Sequence, residues 1–199
     1  HLLRGSQFSC KAIPKTGPEE KVGSFALVDG RLCIVEYTEL PDELAEARGA
    51  GGELLYGASN PGLYLWSAEF AAAQAARADL PFHRAFKKIK HLDDQGALVK
   101  PDSPCGYKFE AFAMDTLADA ETTMLLLLPD RDTEFAPVKN AIGVDSPSPA
   151  RPLLTQLFAE WIVKARGRTP AADAALAISP MFSPHAAQPA RRRPAHSRV

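Results

Sequence analysis

The run Met124-Leu-Leu-Leu-Leu128, closed by Pro129-Asp130, leads into Arg131-Asp-Thr-Glu-Phe-Ala-Pro-Val-Lys139-Asn-Ala-Ile-Gly-Val-Asp145-Ser-Pro147. A short continuous apolar run of this kind reads as a strand buried on both faces, the kind found in parallel sheets. From Pro147 the spacing predicts an amphipathic helix to 166. Leu153, Leu154, Leu157, Phe158, Trp161, Ile162 and Ala165 share its apolar face, and Gly167 stops it. Lys139 therefore sits on a strand-to-helix connection, where open α/β sheets place their ligand sites. Flanked by Pro137 and Asn140 rather than by other charges, it can hold a phosphate as a point charge. A solvated loop lysine is the other reading that position alone allows.

Upstream, Phe8 to Ile13 reads as a strand. Lys21 to Leu27 and Arg31 to Tyr37 flank Val28-Asp29-Gly30, a hairpin signal, because a type I′ turn needs positive φ at both central residues. Pro41 to Arg48 predicts a short helix with acids in its first turn, stopped by Gly49 and Gly51-Gly52. Those glycines do not form a phosphate loop, since no Lys-Ser/Thr pair follows them. Leu54 to Trp66 is a strand candidate interrupted at Asn60-Pro-Gly, and Ser67 can cap a helix from Ala68 to Ala78. Asn60 is either a turn residue or a hydrogen-bonding hand for a polar ligand. Leu80 to His91 is basic and aromatic and reads as surface loop. Phe109, Phe112 and Thr116 fall at helical spacing, a stripe that is usually core.

The chain has 199 residues, of which 46% are hydrophobic, enough for a real core. A formal net charge of -1 gives no electrostatic case for a nucleic acid or an anionic membrane as partner. Cys10, Cys33 and Cys105 are odd in number and widely spaced, which suggests neither a disulfide framework nor a zinc site and makes a reducing cytosol the expected compartment. No apolar run approaches a spanning helix. The opening His1-Leu-Leu-Arg-Gly has no initiator Met and reads like the middle of something. From Ser183 onward Ala, Pro, Arg and His predominate without periodicity and with almost nothing to bury, so 183–199 is expected to be a disordered tail.

Six stretches fall in one order and at one spacing: Lys21-Val-Gly23, Val35-Glu36-Tyr37-Thr-Glu39, Ser59-Asn60, Leu80-Pro-Phe-His83 with Lys87-Lys88-Ile89, Gly106-Tyr-Lys108-Phe-Glu110, and Glu134-Phe-Ala-Pro-Val-Lys139-Asn140-Ala141. Together they resemble the UDP-sugar pyrophosphorylase family, its UDP-N-acetylglucosamine branch more than its glucose branch. The resemblance runs to about Phe182 and implies that residues 1–182 are the C-terminal portion of a nucleotidyltransferase catalytic domain. It implies an α/β fold, a Rossmann-like nucleotidyltransferase (glycosyltransferase A-like) mixed sheet with an inserted β-hairpin, incomplete at the N-terminus.

In that family a sugar-1-phosphate oxygen attacks the α-phosphorus of UTP, giving UDP-sugar and pyrophosphate. Such a transfer depends on positioning and charge neutralisation. Carried over motif by motif, Gly23, Glu36 and Asn60 are expected in the sugar site. Lys108 and Lys139 are expected as the catalytic phosphate lysines, Lys139 on the sugar phosphate and Lys108 towards the nucleotide. Phe112 and Met114 fall beside the sugar's N-acetyl group. Met114 stands where an aromatic is expected, Phe86 where a histidine is usual, and Ser59 where a glycine is usual, which leaves the choice between N-acetylglucosamine-1-phosphate and glucose-1-phosphate open. The glycine-rich loop with its Arg, the uracil site and the metal-holding Asp of the family are not in these 199 residues. Mg is therefore expected to be held through substrate phosphates and residues outside this chain. A non-catalytic phosphosugar-binding module, or an inactive fragment, is the competing expectation.

Overall fold

The computed structural model describes residues 1–182 except 78, 172, 173 and 175, so the expected tail 183–199 lies outside the described residues. The strands are β1 (Phe8–Pro14), β2 (Ser24–Val28), β3 (Arg31–Val35), β4 (Ala58–Ser59), β5 (Tyr64–Trp66), β6 (His83–Lys87), β7 (His91–Leu92), β8 (Leu98–Val99), β9 (Gly106–Glu110) and β10 (Thr123–Leu127). The helices are α1 (Asp42–Ala45), α2 (Ala68–Ala75), α3 (Arg131–Glu134) and α4 (Pro147–Arg166), with 3-10 turns at Leu2–Arg4 and Ala113–Asp119. Two compact units divide the chain, His1–Pro129 and Asp130–Val199.

The first unit is built around β1, whose Phe8, Cys10, Ala12 and Ile13 are buried. On one side β1 runs parallel to β10, with Phe8 opposite Thr123 and Ala12 opposite Leu127. Its other side is shared by two antiparallel pieces, β5 (Phe8 opposite Trp66) and β4 (Ile13 opposite Ser59). The sheet continues through β2 to β3, so its order is β10-β1-β4-β2-β3 with β5 also on β1. This mixed α/β sheet, carrying a β2–β3 hairpin, is the expected class. Phe8 packs edge-on to Tyr64 and close to Trp66 and Phe70, with centroids 5.6, 4.8 and 6.3 Å away. Aromatic contacts of this kind contribute about 0.5–1.5 kcal/mol each beyond area burial. Phe25, Ile34, Met114 and Leu117 complete the core.

The hairpin forms as its sequence dictates. Asp29 and Gly30 have φ of 51° and 77°, and Val28 pairs with Arg31 across a two-residue turn. The cap on α2 forms too: the Phe70 N–H donates to Ser67 Oγ at 3.2 Å.

Four expectations are corrected. β10 is parallel but not buried on both faces: Leu126 and Leu127 are 48% and 55% exposed, because β10 is the last strand of the sheet among the described residues. The helix from Pro41 shrinks to the single turn α1, with Pro41 as its cap, and Arg48 instead bridges Leu54. The basic-aromatic stretch expected as a loop contains strand β6, paired antiparallel with β9. The helical stripe at Phe109, Phe112 and Thr116 does not form. Residues 106–110 are strand β9, Phe109 is exposed, and only the Ala113–Asp119 turn coils.

In the second unit α4 spans the expected range and ends at Gly167 with φ 65°. Pro147 at its first turn needs no backbone N–H there. No helix among the described residues is long and apolar enough to cross a membrane.

Candidate functional site

At the end of the hairpin opposite its turn, three chain segments converge. Gly23 precedes β2, Glu36 follows β3, and Asn60 lies between β4 and β5. The Asn60 N–H donates to the Gly23 carbonyl at 2.9 Å. A Cβ on Gly23 would stand 2.9 Å from Ile34 Cγ2 and 3.0 Å from Glu36 Oε1, so only glycine leaves that carboxylate its place. Asn60 Oδ1 accepts the Gly62 N–H at 2.9 Å, an Asx turn that interrupts the strand and aims the amide.

Asn60 Nδ2 donates to the Tyr64 hydroxyl at 2.7 Å, and that hydroxyl donates to Met114 Sδ at 3.3 Å. The Asn60 amide also reaches Met114 Sδ, at 3.5 Å. Burial pushes the Tyr64 phenol up to about 12; the Asn60 hydrogen bond pulls it back, while Glu36 and Asp115 add to the rise. Tyr64 therefore stays neutral and acts as a relay between amide and thioether. Beside Met114, Phe112 stacks on His83 with centroids 4.7 Å apart. His83 in turn bonds Glu39 and Asp115.

The structure thus brings Gly23, Glu36, Asn60, Phe112 and Met114 into one cluster. Lys108 is not in contact with it. It stands on β9, two residues from Glu110, with which it forms an ion pair at 2.7 Å, and its side chain is largely exposed. Strand alternation puts it on the ribbon face that also carries His83, since Ala85 is opposite Lys108 and His83 opposite Glu110. Lys139 belongs to the second unit. There the Lys139 and Asn140 N–H groups both donate to the Asp145 carbonyl, at 2.7 and 2.9 Å, and Asp145 adopts φ 52°. Lys139 Nζ lies 3.6 Å from Asp145 Oδ2 and 6.0 Å from the Phe135 ring centroid. The lysine is therefore fixed by its backbone, with its ammonium half-exposed. Among the described residues no group of three or more His, Cys, Asp or Glu could hold a metal ion.

The chain is similar to known proteins over most of its length. A curated relative from Homo sapiens, UDP-N-acetylhexosamine pyrophosphorylase-like protein 1, is 37% identical over 172 residues, which cover 84% of this chain and 34% of the relative. UDP-N-acetylglucosamine pyrophosphorylase of Saccharomyces cerevisiae is 31% identical over 167 residues, 81% of this chain and 35% of that protein. The crystal structure of the uridine diphosphate N-acetylglucosamine pyrophosphorylase from Trypanosoma brucei superposes with a TM-score of 0.67 at 31% identity, covering 82% of this chain and 32% of that one. Over this span the chain is a homologue of the UDP-sugar pyrophosphorylases. It spans about a third of the length of the curated relatives it matches. No family model matches it.

In this pyrophosphorylase homologue, sequence reasoning missed four members of the cluster: Tyr64, His83, Glu39 and Asp115. Two signals pointed to them. His83 and Glu39 lie inside the stretches that carry the resemblance, and Asp115 directly follows Met114. Tyr64 had no signal beyond its aromatic neighbours, because its role depends on the β4–β5 interruption.

Proposed function

We propose that the protein containing this chain transfers a uridylyl group from UTP to a sugar-1-phosphate, N-acetylglucosamine-1-phosphate or glucose-1-phosphate, and that this chain carries the sugar-phosphate half of the site. The observation that carries the reading is the meeting of Gly23, Glu36 and Asn60 beside Met114, in a chain homologous to these pyrophosphorylases. In this reading the Glu36 carboxylate and the Asn60 amide hydrogen-bond the sugar, and Gly23 lets the ring approach backbone. Phe112 and Met114 wall the side of its 2-substituent. A phosphate oxygen of the sugar-1-phosphate attacks the α-phosphorus of UTP, the bond to the bridging β-phosphate oxygen breaks, and pyrophosphate departs. Lys139 neutralises the attacking sugar phosphate and Lys108 faces the nucleotide. A divalent cation, Mg by the resemblance, would be held by the UTP phosphates and by residues outside this chain. The described residues offer no cage for it, so none of these roles is assigned through it.

Charge is the essential property of Lys139 here. A charge pair at about 4 Å and an effective dielectric near 20 is worth on the order of 4 kcal/mol before desolvation. Lys139→Met keeps the aliphatic stem and removes the charge. In the full-length protein, at saturating UTP with sugar-1-phosphate varied, turnover should fall by roughly a hundred- to a thousandfold with folding intact. Lys87→Met, at the exposed end of β6, should change it far less. Near-normal turnover in Lys139→Met would overturn the assignment.

A further inference from the structure

His83 opens β6 with its side chain only 18% exposed, and both ring nitrogens face carboxylates. Nδ1 lies 2.7 Å from Glu39 Oε1, and Nε2 lies 2.9 Å from Asp115 Oδ2. A neutral imidazole carries one N–H and satisfies one of the two. Its other nitrogen would turn a lone pair towards a carboxylate oxygen. The imidazolium donates to both. Burial works against that charge, yet the hydrogen bonds to Glu39 and Asp115 outweigh it and raise the His83 pKa.

The two carboxylates belong to the two walls of the cluster. Glu39 closes a turn with Glu36, its N–H donating to the Glu36 carbonyl at 2.9 Å. Asp115 directly follows Met114 in the 3-10 turn, whose preceding residue Phe112 stacks on the His83 ring. From the third side, β9 places Glu110 opposite His83, and Glu110 is paired with Lys108. On β6 the next residue, Arg84, is turned to the Tyr107 ring. One cation thus bridges the segment that carries Glu36 and the segment that carries Phe112 and Met114.

We propose that His83 is a positioning residue: protonated, it bridges Glu39 and Asp115 and holds Glu36 and the Phe112–Met114 wall at the separation that sugar recognition requires. The ligand in this statement rests on the function proposed above; the bridge itself does not. The sign follows from the direction of the shift. A histidine raised above its ordinary value holds its partners fully below about pH 6.5 and releases them as pH climbs through the raised value.

The test uses the 199-residue chain with labelled methionine methyls and labelled histidine nitrogens, followed by NMR across pH 5–9. The probe is N-acetylglucosamine, which does not titrate in that range. In the wild type both His83 nitrogens should be protonated at low pH, the Met114 methyl should move in step with His83, and affinity for the sugar should fall about threefold or more through that step. In His83→Gln the methyl should be pH-independent and affinity low throughout. Glu39→Gln, a change at an exposed side chain, should lower the His83 midpoint and carry the affinity step down with it. A Met114 methyl that ignores the His83 titration, or a His83→Gln variant with wild-type affinity and pH profile, overturns the proposal. If the wild type binds no sugar at any pH while the methyl still follows His83, the bridge stands and the sugar-site assignment fails instead.

Discussion

The first unit contains two antiparallel strand pairs of equal width, five residues on each strand, held by different forces. The β2–β3 hairpin is joined by two residues and lays Phe25 and Ile34 into the core. The β6–β9 ribbon joins strands that are 18 residues apart, from Lys87 to Gly106, and leaves Phe86, Tyr107 and Phe109 exposed. At its inner end His83, mostly buried and stacked on Phe112, faces Glu39 and Asp115. The hairpin therefore draws on apolar burial, which pH leaves alone. The ribbon has its ladder and exposed ring pairs and, in the bridge proposed above, a charge that pH can withdraw. The cluster of Gly23, Glu36, Asn60, Phe112 and Met114 has the hairpin on one side and His83 of the ribbon on the other.

Matched truncations should break this contrast most sharply if it is wrong. Phe25→Ala opens a cavity in the core and is expected to cost about 3–5 kcal/mol in urea unfolding. Phe86→Ala removes a half-exposed ring that stacks on Tyr107 at 4.9 Å and should cost under about 1 kcal/mol. Equal losses would mean that the ribbon is as deeply cored as the hairpin. A smaller effect is expected at the hairpin turn. Gly30 holds φ 77°, and a methyl added there would meet no atom within 4 Å. Gly30→Ala should therefore cost about 1–2 kcal/mol through backbone strain alone, read as a lowered Tm.

The smallest expected effect has the opposite sign. Ser24 and Ser59 face each other where β2 meets β4, and both are fully buried. Ser59 Oγ donates to the Ile13 carbonyl at 2.9 Å, whereas Ser24 Oγ has no hydrogen-bond partner among the described residues. Ser24→Ala removes an unsatisfied hydroxyl and should leave stability unchanged or raise it by up to about 1 kcal/mol. Ser59→Ala should lower it by about that much. A clear loss at Ser24 would reveal a partner that its burial conceals.

What could be read from the sequence followed the range of the forces. The Asp29-Gly30 turn, the Ser67 cap and the Pro147-to-Gly167 limits of α4 are decided within a few residues, and each was legible. The ribbon was not, because nothing between His83 and Lys87 shows that its partner waits at 106–110. The Phe109, Phe112 and Thr116 spacing mimicked a helix only because strand β9 ends where a 3-10 turn begins. In the cluster, Gly23, Glu36, Asn60, Phe112 and Met114 were found by wording. Tyr64 and the His83 bridge needed three segments brought together. Exposure of Leu126 and Leu127 was equally illegible, since Met124 to Leu128 carries no mark of whether another strand lies beyond it.

That last strand has a practical side. β10 presents apolar side chains on its surface, and among the described residues its outer backbone edge has no strand beside it. Unprotected edges of this kind template pairing between molecules. Purified alone, the chain should be prone to concentration-dependent aggregation, and a lysine in place of Leu126 should keep more of it in solution.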